Sequence, residues 1–142
     1  MIRTKIIIDT GPLVSFMNKN DAYHDWTKNQ FSMMSPPFIS CEAVISEACF
    51  LLRKFPNGQD NILELIERNL LILPFDLQSE SQTIKKLIKK YQNIPMSLAD
   101  ACLVRLSEQI SDSIICTLDS DFKIYRKNKR EKIPLIIPDV HN

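Results

Sequence analysis

The chain has 142 residues, of which 44% are hydrophobic and 25% charged, with a net charge of +1; this length suits a single domain over residues 1–142 with one sizeable core. Its apolar runs fall well short of the roughly 20 residues a membrane span requires. The start, Met1-Ile2-Arg3-Thr4-Lys5-Ile6-Ile7-Ile8-Asp9, lacks the apolar stretch and small-residue cleavage site of a signal peptide, so a cytoplasmic location is expected.

Taken in chain order, Lys5 to Asp9 is a short β-branched run of the kind seen in strands buried on both faces. Gly11-Pro12 then turns the chain, with Pro12 placed for the first turn of a helix through Phe16. Phe38-Ile39-Ser40 is a strand candidate after Pro36-Pro37. Cys41 to Lys54 is apolar nearly all round and predicts a helix buried over most of its circumference, ended by Phe55-Pro56-Asn57-Gly58. Ile62 to Asn69 reads as helix, Leu70-Leu71-Ile72-Leu73 as strand, and Ser79 to Tyr91 as an amphipathic helix. Beyond Pro95, Ser97 offers an N-cap for a helix to about Ile110, followed by a strand over Ser113 to Thr117 and a last one over Leu135-Ile136-Ile137. This alternation is α/β. Since parallel strands need helical crossovers, it predicts a mostly parallel sheet sandwiched by helices, with its binding crevice beyond the carboxyl ends of the strands.

Four carboxylates stand inside or directly after apolar runs: Asp9 after Ile6-Ile7-Ile8, Glu47 within Ala43 to Leu52, Asp100 within Leu98 to Val104, and Asp119 after Ile114 to Leu118. Each has a local explanation. Asp9 suits a turn with Gly11-Pro12, Asp100 stands three residues after Ser97 as in a capping box, and Asp119 and Asp121 suit a turn. Glu47 has neither cap nor turn to serve, though an ion pair with Arg53 would account for it. One shared cation explains all four at once, because ionised carboxylates gathered in a pocket require neutralisation. An all-oxygen set suits a hard ion, Mg²⁺ or Mn²⁺, which makes water easier to deprotonate and stabilises a leaving oxygen in phosphodiester hydrolysis.

Other chemistries fit less well. Cys41, Cys49, Cys102 and Cys116 form no C-x-x-C pair and lie among apolar residues, which favours core packing over a zinc site, and the only histidines are His24 and His141. Asp9-Thr10-Gly11 is also an aspartic protease triplet, but it occurs once in a chain with two glycines. An aspartyl phosphatase commonly places a second acid where Gly11 stands. His24 reads as a packing or surface residue rather than a base. Lys123, Arg126, Lys127, Lys129, Arg130 and Lys132 make one strongly basic stretch, a candidate contact for a phosphate backbone, while Lys85, Lys86, Lys89 and Lys90 read as the solvated face of a helix.

The segments Ile8-Asp9-Thr10-Gly11-Pro12-Leu13-Val14, Asp21-Ala22-Tyr23-His24-Asp25-Trp26, Ser46-Glu47-Ala48, Ser97-Leu98-Ala99-Asp100-Ala101 and Thr117-Leu118-Asp119-Ser120-Asp121-Phe122 together resemble the PIN-domain family, in particular the VapC-like toxin ribonucleases. The resemblance spans nearly the whole chain. It implies a PIN-like domain with a five-stranded, mostly parallel sheet flanked by helices, and a Mg²⁺- or Mn²⁺-dependent endoribonuclease acting as the toxin of a type II toxin–antitoxin pair. By resemblance Asp9, Glu47, Asp100 and Asp119 are the catalytic acids, with Asp9, Asp100 and Asp119 on the metal and Thr117 and Asp121 as accessory groups. RNA is the implied substrate, contacted by Lys123, Arg126, Lys127, Lys129 and Arg130; an antitoxin and a second copy of the chain are the implied partners. Leu118 departs from the many relatives that carry a basic residue there, which bears on substrate contact. A non-catalytic RNA- or protein-binding scaffold and a DNA-directed nuclease are the alternatives.

Overall fold

The β-branched run near the start forms β1 (Lys5–Ile8), paired on one side with β2 (Phe38–Ile39) and on the other with β4 (Ser113–Cys116). Neighbours on both sides and helices on both faces leave Ile7 and Ile8 fully buried. In the computed structural model, which describes residues 4–139, β3 (Leu71–Ile72) and β7 (Leu135–Ile136) complete a five-stranded sheet of order β3-β2-β1-β4-β7. Every pairing in it is parallel. His141 lies outside the described residues.

Six helices connect the strands: α1 (Thr10–Met17), α2 (His24–Met33), α3 (Glu42–Leu51), α4 (Gly58–Glu67), α5 (Leu77–Lys90) and α6 (Leu98–Gln109). The chain steps outward from β1 to β2 and β3, then returns to the other side of β1 for β4 and β7. Strand order therefore reverses between β1 and β4, and the loops leaving their carboxyl ends diverge to open a crevice there. A 3-10 turn over Ser120–Lys123 follows β4, and β5 (Arg126–Lys127) and β6 (Glu131–Lys132) form a separate antiparallel hairpin.

The expected strands and helices are present with ends displaced by a few residues, and three features differ. Sequence patterning did not mark α2, whose polar stretch His24–Met33 buries only Thr27. This helix is held instead by Phe31, which stacks near Phe16 at 5.0 Å and Phe38 at 5.5 Å, and by a 2.6 Å hydroxyl pair between Ser15 and Thr27. The hairpin also went unmarked, because Arg126 to Lys132 has no alternation of apolar and polar residues. Finally, α3 ends at Leu51 and is not buried over most of its circumference: Val44, Ile45 and Ala48 enter the core, while Phe50 is 60% and Leu51 47% exposed. The helix lies in an outer layer against α1, α4 and α6, so one side has no neighbour to cover it.

Among the described residues, no helix is long and apolar enough to cross a membrane. Cys41, Cys102 and Cys116 are buried and Cys49 half-buried, all as free thiols.

The link between α3 and α4 fixes the helix that carries Glu47. Asn57 adopts a left-handed conformation at φ 57°, and Gly58 follows so closely packed that a Cβ there would press on the Leu52 carbonyl oxygen and lie 2.9 Å from Leu52 Cβ. Gly58→Ala is expected to lower stability by roughly 1–3 kcal/mol, the usual cost of overpacking a filled site. Urea unfolding checks this, and an unchanged midpoint would contradict the close packing.

Candidate active site

Asp9 is the first residue past β1, and its N–H still donates to the Cys116 carbonyl at 3.0 Å. Its side chain turns back under the crevice and is only 7% exposed. Oδ1 accepts the Thr10 N–H at 2.7 Å, and Oδ2 accepts the Thr117 hydroxyl at 2.7 Å. The Thr117 oxygen in turn accepts the Asp119 N–H at 2.9 Å. One hydroxyl thus ties the end of β1 to the end of β4 and sets the backbone at Asp119. Asp119 Oδ1 accepts the Asp121 N–H at 2.9 Å and so opens the 3-10 turn.

Asp100 stands in the first turn of α6, where its N–H donates to Ser97 Oγ at 3.0 Å. The carboxylate accepts from the Tyr125 hydroxyl at 3.1 Å. Glu47 rises from the exposed side of α3. The local roles the sequence offered for Asp9, Asp100 and Asp119 are therefore all realised, yet the same residues meet. Asp9, Glu47, Asp100 and Asp119 line one cleft of about 270 Å³, with Thr10, Gly11, Leu51 and Leu118 as the rest of its wall. Leu118 rests on Gly11, where an added Cβ would come within 3.2 Å of it.

The acids share their field. Burial pushes the Asp9 carboxyl up to about 6 from 3.8, with the Asp100 and Asp119 charges adding to the rise and the Thr117 and Thr10 hydrogen bonds opposing it. Asp100 is raised by burial first and then by Asp119, against the hydrogen bond from Tyr125. Glu47 is raised by burial and by the charges of Asp100 and Asp119. No lysine or arginine answers them: the ion pairs among the described residues are Arg68–Glu64 and those of Arg105 with Glu80 and Glu108. Thr10 Oγ1, on the cleft wall, is a buried polar atom with no hydrogen-bond partner.

All-oxygen donors with unneutralised charge and an orphaned hydroxyl fit a hard divalent cation. Among the described residues no three acidic, cysteine or histidine side chains stand close enough to enclose an ion as placed.

Asp121 is not on the cleft wall; its carbonyl accepts the Ile124 and Tyr125 N–H groups and so closes the turn that delivers Tyr125 to Asp100. Of the basic stretch, Lys123, Lys129 and Arg130 are exposed and Arg126 half-buried, whereas Lys127 is only 5% exposed and has little surface to offer a phosphate. His24 lies outside the cleft, with Nδ1 2.8 Å from the Ser15 carbonyl. Two groups escaped sequence reasoning. Thr10 was noted only as part of a turn, and Tyr125 gave no signal beyond being an aromatic in a charged stretch.

A five-stranded parallel sheet flanked by six helices matches a PIN-like fold. The chain matches the crystal structure of VapC20 from Mycobacterium tuberculosis, a sarcin-ricin loop cleaving toxin, with a TM-score of 0.78 over 92% of this chain and 100% of that one at 17% identity. The likeness is one of fold: this chain has the VapC-like PIN fold. No protein-family model matches the chain, and no curated protein sequence matches it.

The raised Asp9 carboxyl has a consequence for stability in the metal-free protein. A carboxyl that binds its proton more tightly when folded contributes less as pH climbs from about 4 to about 6, and is unfavourable above that window. Asp9→Asn mimics the protonated carboxyl, with one oxygen to accept a hydrogen bond and an amide N–H in place of the O–H, and it carries no charge at any pH. It is expected to be more stable than the unchanged protein at pH 7.5 in EDTA, by up to roughly 3 kcal/mol, with the difference vanishing below pH 4. Denaturant unfolding across that range measures it, and equal stability at pH 7.5 would contradict the burial argument.

Proposed function

We propose that this chain is a Mg²⁺- or Mn²⁺-dependent endoribonuclease of the VapC-like PIN family, hydrolysing RNA phosphodiester bonds as the toxin of a type II toxin–antitoxin pair in the cytoplasm. The observation that carries the reading is the meeting of Asp9, Glu47, Asp100 and Asp119, from four separate elements, in one cleft where they form no ion pair among the described residues. The fold it shares with a toxin described as cleaving the sarcin-ricin loop supports RNA as the polymer.

In this reading Asp9 and Asp100 hold the cation directly and Asp119 does so directly or through water. The cation, when bound, lowers the cost of deprotonating water and neutralises charge on the leaving oxygen. Glu47 faces the other acids from the exposed wall, and its raised pKa suits a group that takes a proton from the water attacking phosphorus. Tyr125 fixes one oxygen of Asp100, leaving the other for the ligand. Thr117 orients Asp9, and Asp121 supports the turn beneath Asp119. Lys123, Arg126, Lys129 and Arg130 contact the RNA backbone, while Leu118 presents an apolar edge to it. The chain pairs with a second copy, and an antitoxin arm carrying arginine silences the acids by occupying the cleft.

Purified protein is expected to cut structured RNA with Mn²⁺ or Mg²⁺, to stop on addition of EDTA, and to leave matched DNA intact. Asp9→Asn and Asp100→Asn should each fall to the no-enzyme background while keeping their circular dichroism and cooperative unfolding. Full activity in both variants would refute the assignment. RNA binding without any metal-dependent cleavage would favour the scaffold alternative.

A further inference from the structure

A large charged hollow lies away from the acids. It is a groove of about 720 Å³ between α5, α6 and the β5–β6 hairpin, larger than the 270 Å³ cleft. Lys86 and Lys90 enter it from α5, Arg105 from α6, and Arg126, Lys129 and Arg130 from the hairpin. The face of α5 that the sequence marked as merely solvated thus meets the basic stretch some forty positions further on.

Carboxylates near the groove are already engaged. Glu80 accepts from Arg105 Nε at 2.9 Å and from Gln109 Nε2 at 2.7 Å. Glu108 accepts from Arg105 Nη1 at 3.2 Å and from the Asn128 N–H at 2.6 Å. Arg105 is thereby neutralised. Among the described residues Lys86, Lys90, Arg126, Lys129 and Arg130 take part in no ion pair.

The hairpin tip is built to hold its charges in place. Asn128 and Lys129 both have positive φ, 49° and 74°, a conformation that costs a side-chain-bearing residue energy. It is held by the Asn128 N–H to Glu108 and by Lys90 Nζ, which donates to the Lys129 carbonyl at 3.0 Å. Arg126 Nη1 donates to the carbonyls of Lys123, Ile124 and Tyr125, fixing the guanidinium at the groove wall.

The groove and the cleft share no lining residue, but the same elements carry both. Arg126 directly follows Tyr125, the residue bonded to Asp100. Along α6 the five to eight residues from Asp100 to Arg105 and Glu108 cover about 8–12 Å at about 1.5 Å each. Five cations outside any ion pair, spread around one groove whose wall also includes Leu87, suit the repeated charges of a phosphate backbone.

We infer that this groove binds the phosphodiester backbone of the RNA strand beyond the scissile bond, as a second site that holds the substrate across the cleft. The inference rests on the ribonuclease reading for its ligand. Its test is independent of cleavage: fluorescence anisotropy of a labelled 20-nucleotide single-stranded RNA, in EDTA, over 50–200 mM salt. The triple variant Lys86→Glu, Lys129→Glu, Arg130→Glu should bind at least tenfold more weakly at the lowest salt. Its plot of log affinity against log salt should be shallower by about 2, from about 0.7 per lost phosphate contact. The milder Lys86→Gln, Arg130→Gln pair should show the same loss in smaller measure, which separates lost contacts from misfolding.

Unchanged affinity and slope in both variants would overturn the inference even if the protein cuts RNA. The expected loss in a protein that cuts nothing would sustain the groove and sink the nuclease reading. Displacement of the RNA by poly-glutamate of equal charge at equal concentration would overturn it in favour of an acidic-protein site.

Discussion

The structure around the cleft depends on one hydroxyl. Thr117 donates to Asp9 and accepts from the Asp119 backbone, so a single side chain at the end of β4 fixes the carboxylate at the end of β1 and the path of its own loop. Without that bridge the two loops that diverge at the reversal of strand order would share only backbone pairing and the packing of Leu118 on Gly11. The tie also carries an electrostatic cost. It holds Asp9 where burial disfavours its charge and where Asp100 and Asp119 add to the penalty. A buried acid with no ion pair among the described residues is a feature that stability alone would remove, since replacing such groups by neutral ones is commonly favourable.

Charge is sorted along α6. Its first turn presents Asp100 to the acidic cleft, and its last turns present Arg105 and Glu108 to the basic groove. The core face between them, from Ala101 to Leu106, is almost fully buried and keeps the two ends rigidly related. Tyr125 and Tyr91 extend the same link on the hairpin side. They pack edge to face at 5.1 Å, with Tyr125 donating to Asp100 and the Tyr91 hydroxyl accepting the Arg126 N–H at 2.9 Å. A net charge of +1 therefore conceals two opposite poles joined by one helix and two aromatic rings.

What the sequence made legible follows from burial. Ile6-Ile7-Ile8, Ser113 to Cys116 and the amphipathic α5 declared themselves because their apolar periodicity matches the surface each buries. The acids stood out for the converse reason, as charges where such patterns have no place for them. Elements held by other means were hidden. For α2 the hold is a few aromatic contacts and one hydroxyl pair, and for the hairpin it is hydrogen bonds from α5 and α6, neither of which leaves a periodic trace. The apolar character of α3 misled in the other direction, since hydrophobicity reports affinity for cover and not whether a neighbour supplies it. Thr10 and Tyr125 were invisible because their significance is geometric: one is notable for a missing partner, the other for a partner 25 positions away.

The two poles also explain each other. A cleft of acids repels the polyanion it is proposed to cut, and a cation held by one or two carboxylates offsets only part of that charge. On that proposal a backbone-binding surface is needed, close enough to share one strand yet far enough that its lysines and arginines do not pair with the acids of the cleft. Direct pairing would collapse the cleft into a salt bridge and displace the cation. The separation is enforced structurally. Arg105, the groove cation that shares α6 with Asp100, is the one tied up by Glu80 and Glu108, and Arg126, next to Tyr125, is turned away by three backbone carbonyls. The same fold thus holds the positive charge near enough to draw in a phosphate chain and fixes it where it cannot reach the acids.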